Sequence, residues 1–278
     1  MSLLDQITVL ILTYNEEANL HRTLRMVSWA KQILIVDSGS TDATLDIVKN
    51  FPQARVVTRK FDDFANQCNF GLSEVTSDWV LSLDADYELS PDLIDEIRSL
   101  DPSDLISGYK ARFIYRVYGQ PLRATLYPPR TVLYRRARAQ YKNEGHGHRV
   151  SIEGRVVPLK HVIFHDDRKS LSRWFNSQQK YARDEADYLL KPASEDFKFA
   201  DRIRVLGWPA PVLVFLYTLF VKRCLFDGWA GWYYVLQRTI AEGMIAAELL
   251  DRRLRERQNL KSSKEPVLAH RPHDISIS

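Results

Sequence analysis

Short apolar, β-branched runs alternate with stretches of helical spacing through the first third of the chain. Residues 7–12, ITVLIL, read as a strand. Behind it Asn15, Glu16 and Glu17 open an amphipathic stretch with Leu20, Leu24 and Val27 on one face, and acidic residues suit a helix N-terminus. QILIV, ending at Asp37, repeats the pattern, and SGSTDATLDIVKN supplies a glycine turn, a Ser/Thr/Asp cluster and Leu45 and Val48 at helical spacing. ARVVT (54–58) and WVLSL (79–83) predict a third and a fourth strand, with a helix over 64–75 between them. Continuous apolar strands separated by helices imply an α/β fold with a parallel sheet covered on both faces. Such sheets bind ligands beyond the carboxyl ends of their strands, near the topological switch point.

Polar residues collect at those ends: Thr13 and Asn15 after the first strand, Asp37 and Ser38 after the second, Asp84 and Asp86 after the fourth. Ser40, Thr41 and Asp42 equally suit plain helix caps. Asp84 and Asp86, in LSLDADYELSPD, are harder to explain structurally, because carboxylates this close repel unless a cation or solvent relieves them. Oxygen ligands on a loop suit Mg²⁺ or Mn²⁺, which keep some waters and complete their shell with substrate phosphates.

At 278 residues and 45% hydrophobic content, the chain has room for one sizeable α/β domain and an appendage. Its 39 Lys and Arg against 35 Asp and Glu leave a net charge of +4, too little to argue for nucleic-acid binding, and no nucleic-acid motif accompanies it. Cys68 and Cys224 stand alone, which excludes a disulfide framework and a cysteine-built zinc site and fits a reducing compartment. The first apolar run is short and lacks a preceding basic segment, so it does not read as a cleaved signal.

VLILTYNEEANL, ILIVDSGSTDAT and NQCNFGLSEVTSDWVLSLDADYEL resemble the successive signatures of the family 2 glycosyltransferases with the GT-A fold. GHGHRVSIEGRVVPLKHVIFHDDRKSLSRWFNSQQKYA is similar to the branch that adds sugars to lipopolysaccharide core or other envelope glycans. The resemblance implies a Rossmann-like, mostly parallel GT-A catalytic domain. Thr13, Asn15, Glu16 and Asp37 would surround the base and ribose of a nucleotide-diphosphate sugar, with Gln67 also among the nucleotide contacts. Asp84 would serve ribose and metal, and Asp86 the metal. Cys68 stands where the family often has a basic residue, so the resemblance does not carry over the phosphate or nucleoside contact usual there. His165 falls where some GT-A enzymes place a metal ligand, although a lone histidine is more often structural.

Departure of a nucleoside diphosphate needs its growing charge stabilised, for which the divalent ion serves, while the acceptor hydroxyl needs a base. Direct displacement inverts the anomeric centre, as the resemblance implies. Glu144 is the first candidate base and Asp166 the second. Asp166 and Asp167 equally suit the start of a helix at Ser170, and His146 and His148 could line an acceptor pocket. Seven arginines between Arg112 and Arg138 read mainly as a solvated face, but the PPR segment among tyrosines suggests a loop near an anionic acceptor.

From Ser170 the pattern changes. Leu171, Trp174, Phe175, Tyr181 and Tyr188 mark one helix face, and a polar connector follows. VLGWPAPVLVFLYTLFV is uncharged, but a glycine and two prolines make it marginal as a membrane span. Trp229, Trp232, Tyr233, Leu236 and Ile240 at helical spacing, with Gln237, Arg238 and Glu242 mostly turned away, describe a helix in the membrane interface, or one packed on the catalytic domain or in a dimer. RRLRER would meet anionic headgroups on the cytoplasmic side. The chain thus divides into a catalytic domain (1–168), a helix and connector (169–202), membrane-associating helices (203–257) and a disordered tail (258–278). The expectation is a metal-dependent, inverting glycosyltransferase acting on a glycolipid or other lipid-linked acceptor at the cytoplasmic face of the inner membrane. A polyprenyl-phosphate glycosyltransferase and a non-catalytic nucleotide-sugar-binding scaffold are the rivals. A nucleotidyltransferase would be expected to show a glycine-rich turn after the first strand, which TYNEEA lacks.

Overall fold

The structure, a computed structural model, describes residues 3–101, 105–144, 147–191, 197 and 199–262, without the side chains of residues 143, 144, 147, 148 and 260–262. Strands β1 (Ile7–Thr13), β2 (Gln32–Asp37), β3 (Ala54–Thr58) and β4 (Trp79–Asp84) alternate with helices α1 (Leu20–Met26), α2 (Thr44–Val48) and α3 (Phe64–Glu74), matching the hydrophobic pattern. These strands run parallel in the order β3-β2-β1-β4, with Thr13 opposite Asp37 and Leu12 opposite Asp84. The chain steps outward from β1 to β3 and then returns to the far side of β1. A crevice therefore opens between the carboxyl ends of β1 and β4, where such sheets bind ligands.

Beyond β4 the parallel order gives way to a mixed sheet. The strands are β5 (Tyr87–Leu89), β6 (Ile106–Val117), β7 (Gln120–Pro121), β8 (Arg130–Arg135) and β11 (Arg155–His165), and the sheet continues β4-β8-β6-β11-β5. β8 is antiparallel to both β4 and β6, β11 is parallel to β6, and β5 closes the edge antiparallel to β11. Tyr118 and Gly119, with positive φ, turn β6 back into β7, and residues 122–129 then lead into β8. A separate hairpin, β9 (Ala139–Glu144) and β10 (Gly147–Ile152), stands on α3, and helix α4 (Pro91–Ser99) follows β5.

Alternation along β1 feeds two cores. Val9 and Ile11 join Leu20, Leu24, Ile35 and Leu81 on one face, while Leu10 joins Val36, Cys68, Leu72 and Val80 under α3 on the other. Gly71 lets α3 lie this close, since a Cβ there would sit 2.7 Å from Leu10 Cδ1.

Helix α1 starts at Leu20, later than the acids at 16 and 17 suggest. Asn15 adopts a left-handed φ of 55°, and Glu17 turns toward the next loop: Ala43 N donates to the Glu17 carboxylate, and Glu17 N donates to Asp42. Glu17 thus braces two loops against each other, while the Glu16 carboxylate turns to Lys169 and Asn19.

The C-terminal helices are α5 (Leu171–Leu189), α6 (Phe199–Leu206), α7 (Pro209–Leu216), continued by a wide turn over Tyr217–Val221, and α8 (Gly228–Ser262), entered through a tight turn at Cys224–Asp227. Arg204 on α6 pairs with Glu185 of α5 and with Glu242 of α8. Glu242 is only 2% exposed. Glu242 therefore faces protein from α8, while Trp229, Trp232 and Leu236 face outward. Among the described residues no single helix is long and apolar enough to cross a membrane. Gly231 seats α8 on the preceding turn: a Cβ there would lie 1.9 Å from the Cys224 carbonyl oxygen, which backbone cannot relieve cheaply. Gly231→Ala is expected to destabilise by roughly 2–3 kcal/mol, read as a lowered Tm with faster amide exchange concentrated at residues 224–231. An unchanged Tm would contradict this packing.

Candidate active site

Two loops after β1 and β2 form one wall of the crevice. Asp37 is buried, and all its acceptor positions are used: Thr13 Oγ1 (2.9 Å) and Ser40 Oγ (2.6 Å) donate to Oδ1, Gly39 N (2.9 Å) and Ser40 N (2.8 Å) to Oδ2. Ser40 Oγ in turn accepts from Asn15 N, and Asn15 Oδ1 accepts from Thr41 N at 2.7 Å. Within the Ser40–Asp42 cluster, Asp42 Oδ1 accepts from Thr44 N, the first residue of α2, at 3.0 Å, while Ser40 serves Asp37. Beneath the wall lies Gln67, fully buried, whose amide donates to Ser38 Oγ (3.0 Å) and to the Arg59 carbonyl (3.1 Å).

Asp84 and Asp86 part company at the end of β4. Asp84 stays partly exposed, with Arg130 Nη1 at 4.0 Å, and that guanidinium lies over the Tyr127 ring at 4.6 Å. Asp86 turns inward, where its Oδ2 meets His165 Nε2 at 3.1 Å and its carbonyl accepts from Asp166 N. Rings of Tyr87, Tyr115 and Tyr127 surround His165 with centroids 4.8–5.3 Å away. Burial opposes charge on both partners. Mutual attraction and the shared hydrogen bond outweigh it, holding the Asp86 carboxyl below and the His165 imidazole above their ordinary values. Asp86 Oδ1 and His165 Nδ1 remain buried with no partner.

Beside this pair sits a second one. Lys169 Nζ is 2.7 Å from Glu16 and 3.8 Å from Asp167. Burial pushes the Glu16 carboxyl up to about 7 despite Lys169, with the Asp86 charge adding to the rise. Burial would lower Lys169, but Glu16 and Asp167 keep it above its ordinary value.

Among the described residues no three His, Cys, Asp or Glu side chains are gathered to hold an ion by themselves. Asp86 Oδ2 and His165 Nε2, 3.1 Å apart as neighbouring ligands of one ion would be, and the accessible Asp84 nonetheless fit a hard or borderline divalent ion whose remaining ligands come from a diphosphate and water.

Comparison with known proteins decides what this crevice belongs to. The model of the family described as "Glycosyl transferase family 2" matches residues 8–150, just over half of the chain. The chain belongs to glycosyl transferase family 2. An uncharacterized glycosyltransferase of Rickettsia typhi is 25% identical over 275 residues, covering 93% of this chain and 91% of that protein. The lipopolysaccharide core biosynthesis glycosyltransferase LpsC of Rhizobium meliloti is 32% identical over 139 residues, covering 47% and 48%. Among solved structures, a mannosyltransferase of Pyrobaculum calidifontis in complex with GDP-Man and Mn²⁺ superposes with a TM-score of 0.51 at 13% identity, covering 88% of this chain and 87% of that one, so the two share the GT-A fold.

Within this family 2 glycosyltransferase the structure brings Thr13, Asn15, Glu16, Asp37, Asp84, Asp86 and His165 to one crevice. Two of the residues singled out in the sequence have different surroundings from those anticipated. Gln67 is a buried buttress behind the wall and not a surface for nucleotide. Asp166 is fully buried, its Oδ2 taken by Arg168 at 2.7 Å and by Arg22 at 3.4 Å, the arrangement of a structural ion pair and not of a base facing an acceptor. Neither Asp166 nor Asp167 opens a helix. Ser170 caps α5, and Asp167 accepts instead from Asn19 Nδ2. Glu144 ends β9, and its side chain and His146 lie outside the described residues, as does the side chain of His148. That strand is tied to α3 through Asn69, which exchanges two hydrogen bonds with the Tyr141 backbone.

Lys169 and Arg173 escaped notice because they come from α5 and the residues just before it. Arg173 donates to the carbonyls of Tyr14 and Asn15, reaching the first loop from far along the sequence. The only local hint was a pair of cations around the Ser170 cap, a weak signal. Arg173→Ala is expected to free that loop, raising amide exchange at residues 15–17 and 40–44 severalfold while the β1 core stays protected; unchanged exchange would show that Arg173 holds nothing. Glu16 supplies a pH signature. Its native carboxyl binds protons more tightly than the unfolded value of 4.5, so from there to about 7 its ionisation erodes stability as pH rises. Relative to Glu16→Gln, the wild-type protein should lose on the order of 2–3 kcal/mol across that window. Parallel pH–Tm profiles would refute the buried assignment.

Proposed function

We propose that this glycosyltransferase moves a sugar from a nucleoside-diphosphate donor to a hydroxyl of a cell-envelope glycolipid of the lipopolysaccharide-core type, with inversion. The observation that carries the reading is the buried Asp86–His165 pair, carboxylate and imidazole meeting at 3.1 Å just after the accessible Asp84 at the end of β4. Asp86, His165 and Asp84 would hold a divalent ion, Mg²⁺ or Mn²⁺. When bound, it supplies positive charge against the diphosphate that leaves.

The chain's own groups divide the remaining work. The interlocked loops at 13–16 and 37–42 form a shelf for the nucleoside, stiffened by Asp37 from within and Arg173 from outside. Arg130, beside Asp84, offers a guanidinium suited to phosphate oxygens. Lys169 keeps a positive charge among Glu16, Asp86 and Asp167, which limits the repulsion that a diphosphate would meet. Glu144 is assigned as the base that takes the acceptor proton, since Asp166 is occupied by arginines. The acceptor class is supported by the likeness of half the chain to a lipopolysaccharide core enzyme. The donor and ion are supported by a mannosyltransferase of the same fold solved with a nucleotide sugar and Mn²⁺.

The test is a screen of nucleotide sugars with Mg²⁺ or Mn²⁺ against lipid-extracted and core-oligosaccharide acceptors. Asp86→Ala is expected to lower transfer by at least about a hundredfold, and Glu144→Gln by about 10²–10⁴-fold with donor affinity kept. Asp166→Asn should lower Tm and leave the turnover of folded enzyme within a small factor of normal. Full transfer by Asp86→Ala would overturn the reading, and full transfer by Glu144→Gln would point to an acceptor needing no base, such as a polyprenyl phosphate.

A further inference from the structure

The α7–α8 region presents its apolar side to the outside. Pro209–Val221 and Cys224–Asn259 form a pair bent by 69°, with the corner at Lys222 and Arg223. Around that corner Trp208, Phe220, Val221, Phe226, Trp229 and Leu236 are each more than half exposed. Soluble surfaces rarely leave so much contiguous apolar area uncovered unless it meets a partner or a bilayer. On α8, Glu242 is turned inward to Arg204 and gives this outer face no acid.

Charge selects the occupant. Between residues 205 and 236 the charged side chains are Lys222, Arg223 and Asp227. Asp227 is withdrawn, its side chain 3% exposed and bound to Arg123 at 3.2 Å. The rim of the apolar corner is thus positive, without an accessible acid of its own to meet those cations from a second copy. An apolar wedge bearing tryptophans and edged with Lys and Arg matches the headgroup boundary of an anionic leaflet.

We propose that the corner formed by the end of α7, the 222–227 turn and the start of α8 is a monotopic dock that enters one leaflet of an anionic phospholipid bilayer without crossing it. Tyr217, Phe220, Phe226, Trp229 and Trp232 lie at the acyl boundary, and Lys222 and Arg223 meet lipid phosphates. The dock adjoins the reacting centre. Arg123 N and Leu126 N donate to Asp227 and to the Tyr234 hydroxyl, the next residue, Tyr127, packs on His165, and Tyr234 packs on Tyr115, which packs on His165 as well. A bilayer-embedded acceptor therefore arrives beside the catalytic pair, a consequence that rests on the proposed acceptor; the docking itself does not.

Co-sedimentation of the full chain with vesicles tests this without donor or acceptor, so its outcome is separate from that of the transfer assay. Phosphatidylcholine vesicles are compared with vesicles that also contain phosphatidylglycerol. The wild-type protein is expected to bind the anionic vesicles on the order of tenfold more tightly. Phe220→Glu with Val221→Glu should abolish binding to both, and Lys222→Glu with Arg223→Glu should remove the anionic preference, all with unchanged circular dichroism and donor hydrolysis. Wild-type protein left in the supernatant with anionic vesicles, or full binding by the Phe220/Val221 variant, would overturn the dock. So would a stable dimer in light scattering that this variant splits, which would make the patch an interface between copies.

Discussion

A buried carboxylate in contact with a buried imidazole organises this molecule's working end. Asp86 leaves β4, His165 ends β11, and the 3.1 Å contact between them joins the parallel half of the sheet to its mixed half. An isolated charge in that position would be strongly unfavourable, so each partner depends on the other. Neighbours enforce the arrangement: β5 pairs with β11 so that Tyr87 faces His165 in register, and Asp166 N ties its strand back to the Asp86 carbonyl. Even so, Asp86 Oδ1 and His165 Nδ1 have no protein partner, so the pair leaves polar atoms for water or a ligand to meet.

The parallel half of the fold was legible because β1 to β4 are apolar, regularly spaced and separated by helical stretches, signals that need no distant partner. Thr13, Asp37, Asp84 and Asp86 were legible for the same reason: each ends a recognisable strand. Their division of labour was not. Asp37 was legible as a residue of the crevice, whereas the four hydrogen bonds by which it shapes a loop were not. Gln67 and Asp166 read as site residues, and both are buried supports. Burial and ion pairing by Arg22 and Arg168 come from tertiary packing that no local pattern reports.

Helix α5 shows the same limit from the other direction. Its sequence announces a new module at Ser170, and α5 does pack on α8. Arg173 and Lys169 nevertheless reach back to the first loop and to Glu16, so the helical region supports the donor wall as well as following it. Amphipathicity gave the existence of α8 and set Glu242 apart from its tryptophans, but not the partner that Glu242 meets. Arg204 recruits Glu242 inward, which leaves the tryptophan side uncovered. Fold and candidate chemistry are thus continuous from crevice to outer corner, linked through Tyr127, Tyr234 and Asp227.

The central claim is that the Asp86–His165 pair is an unfinished coordination shell completed by the donor's diphosphate. Anomalous diffraction at the manganese edge, from crystals of the chain grown with a nucleoside diphosphate and Mn²⁺, addresses it directly. The account predicts one manganese peak in contact with an Asp86 carboxylate oxygen and with diphosphate oxygens. A nucleotide seated in the crevice with its diphosphate turned from Asp86, and no manganese peak between them, would contradict it.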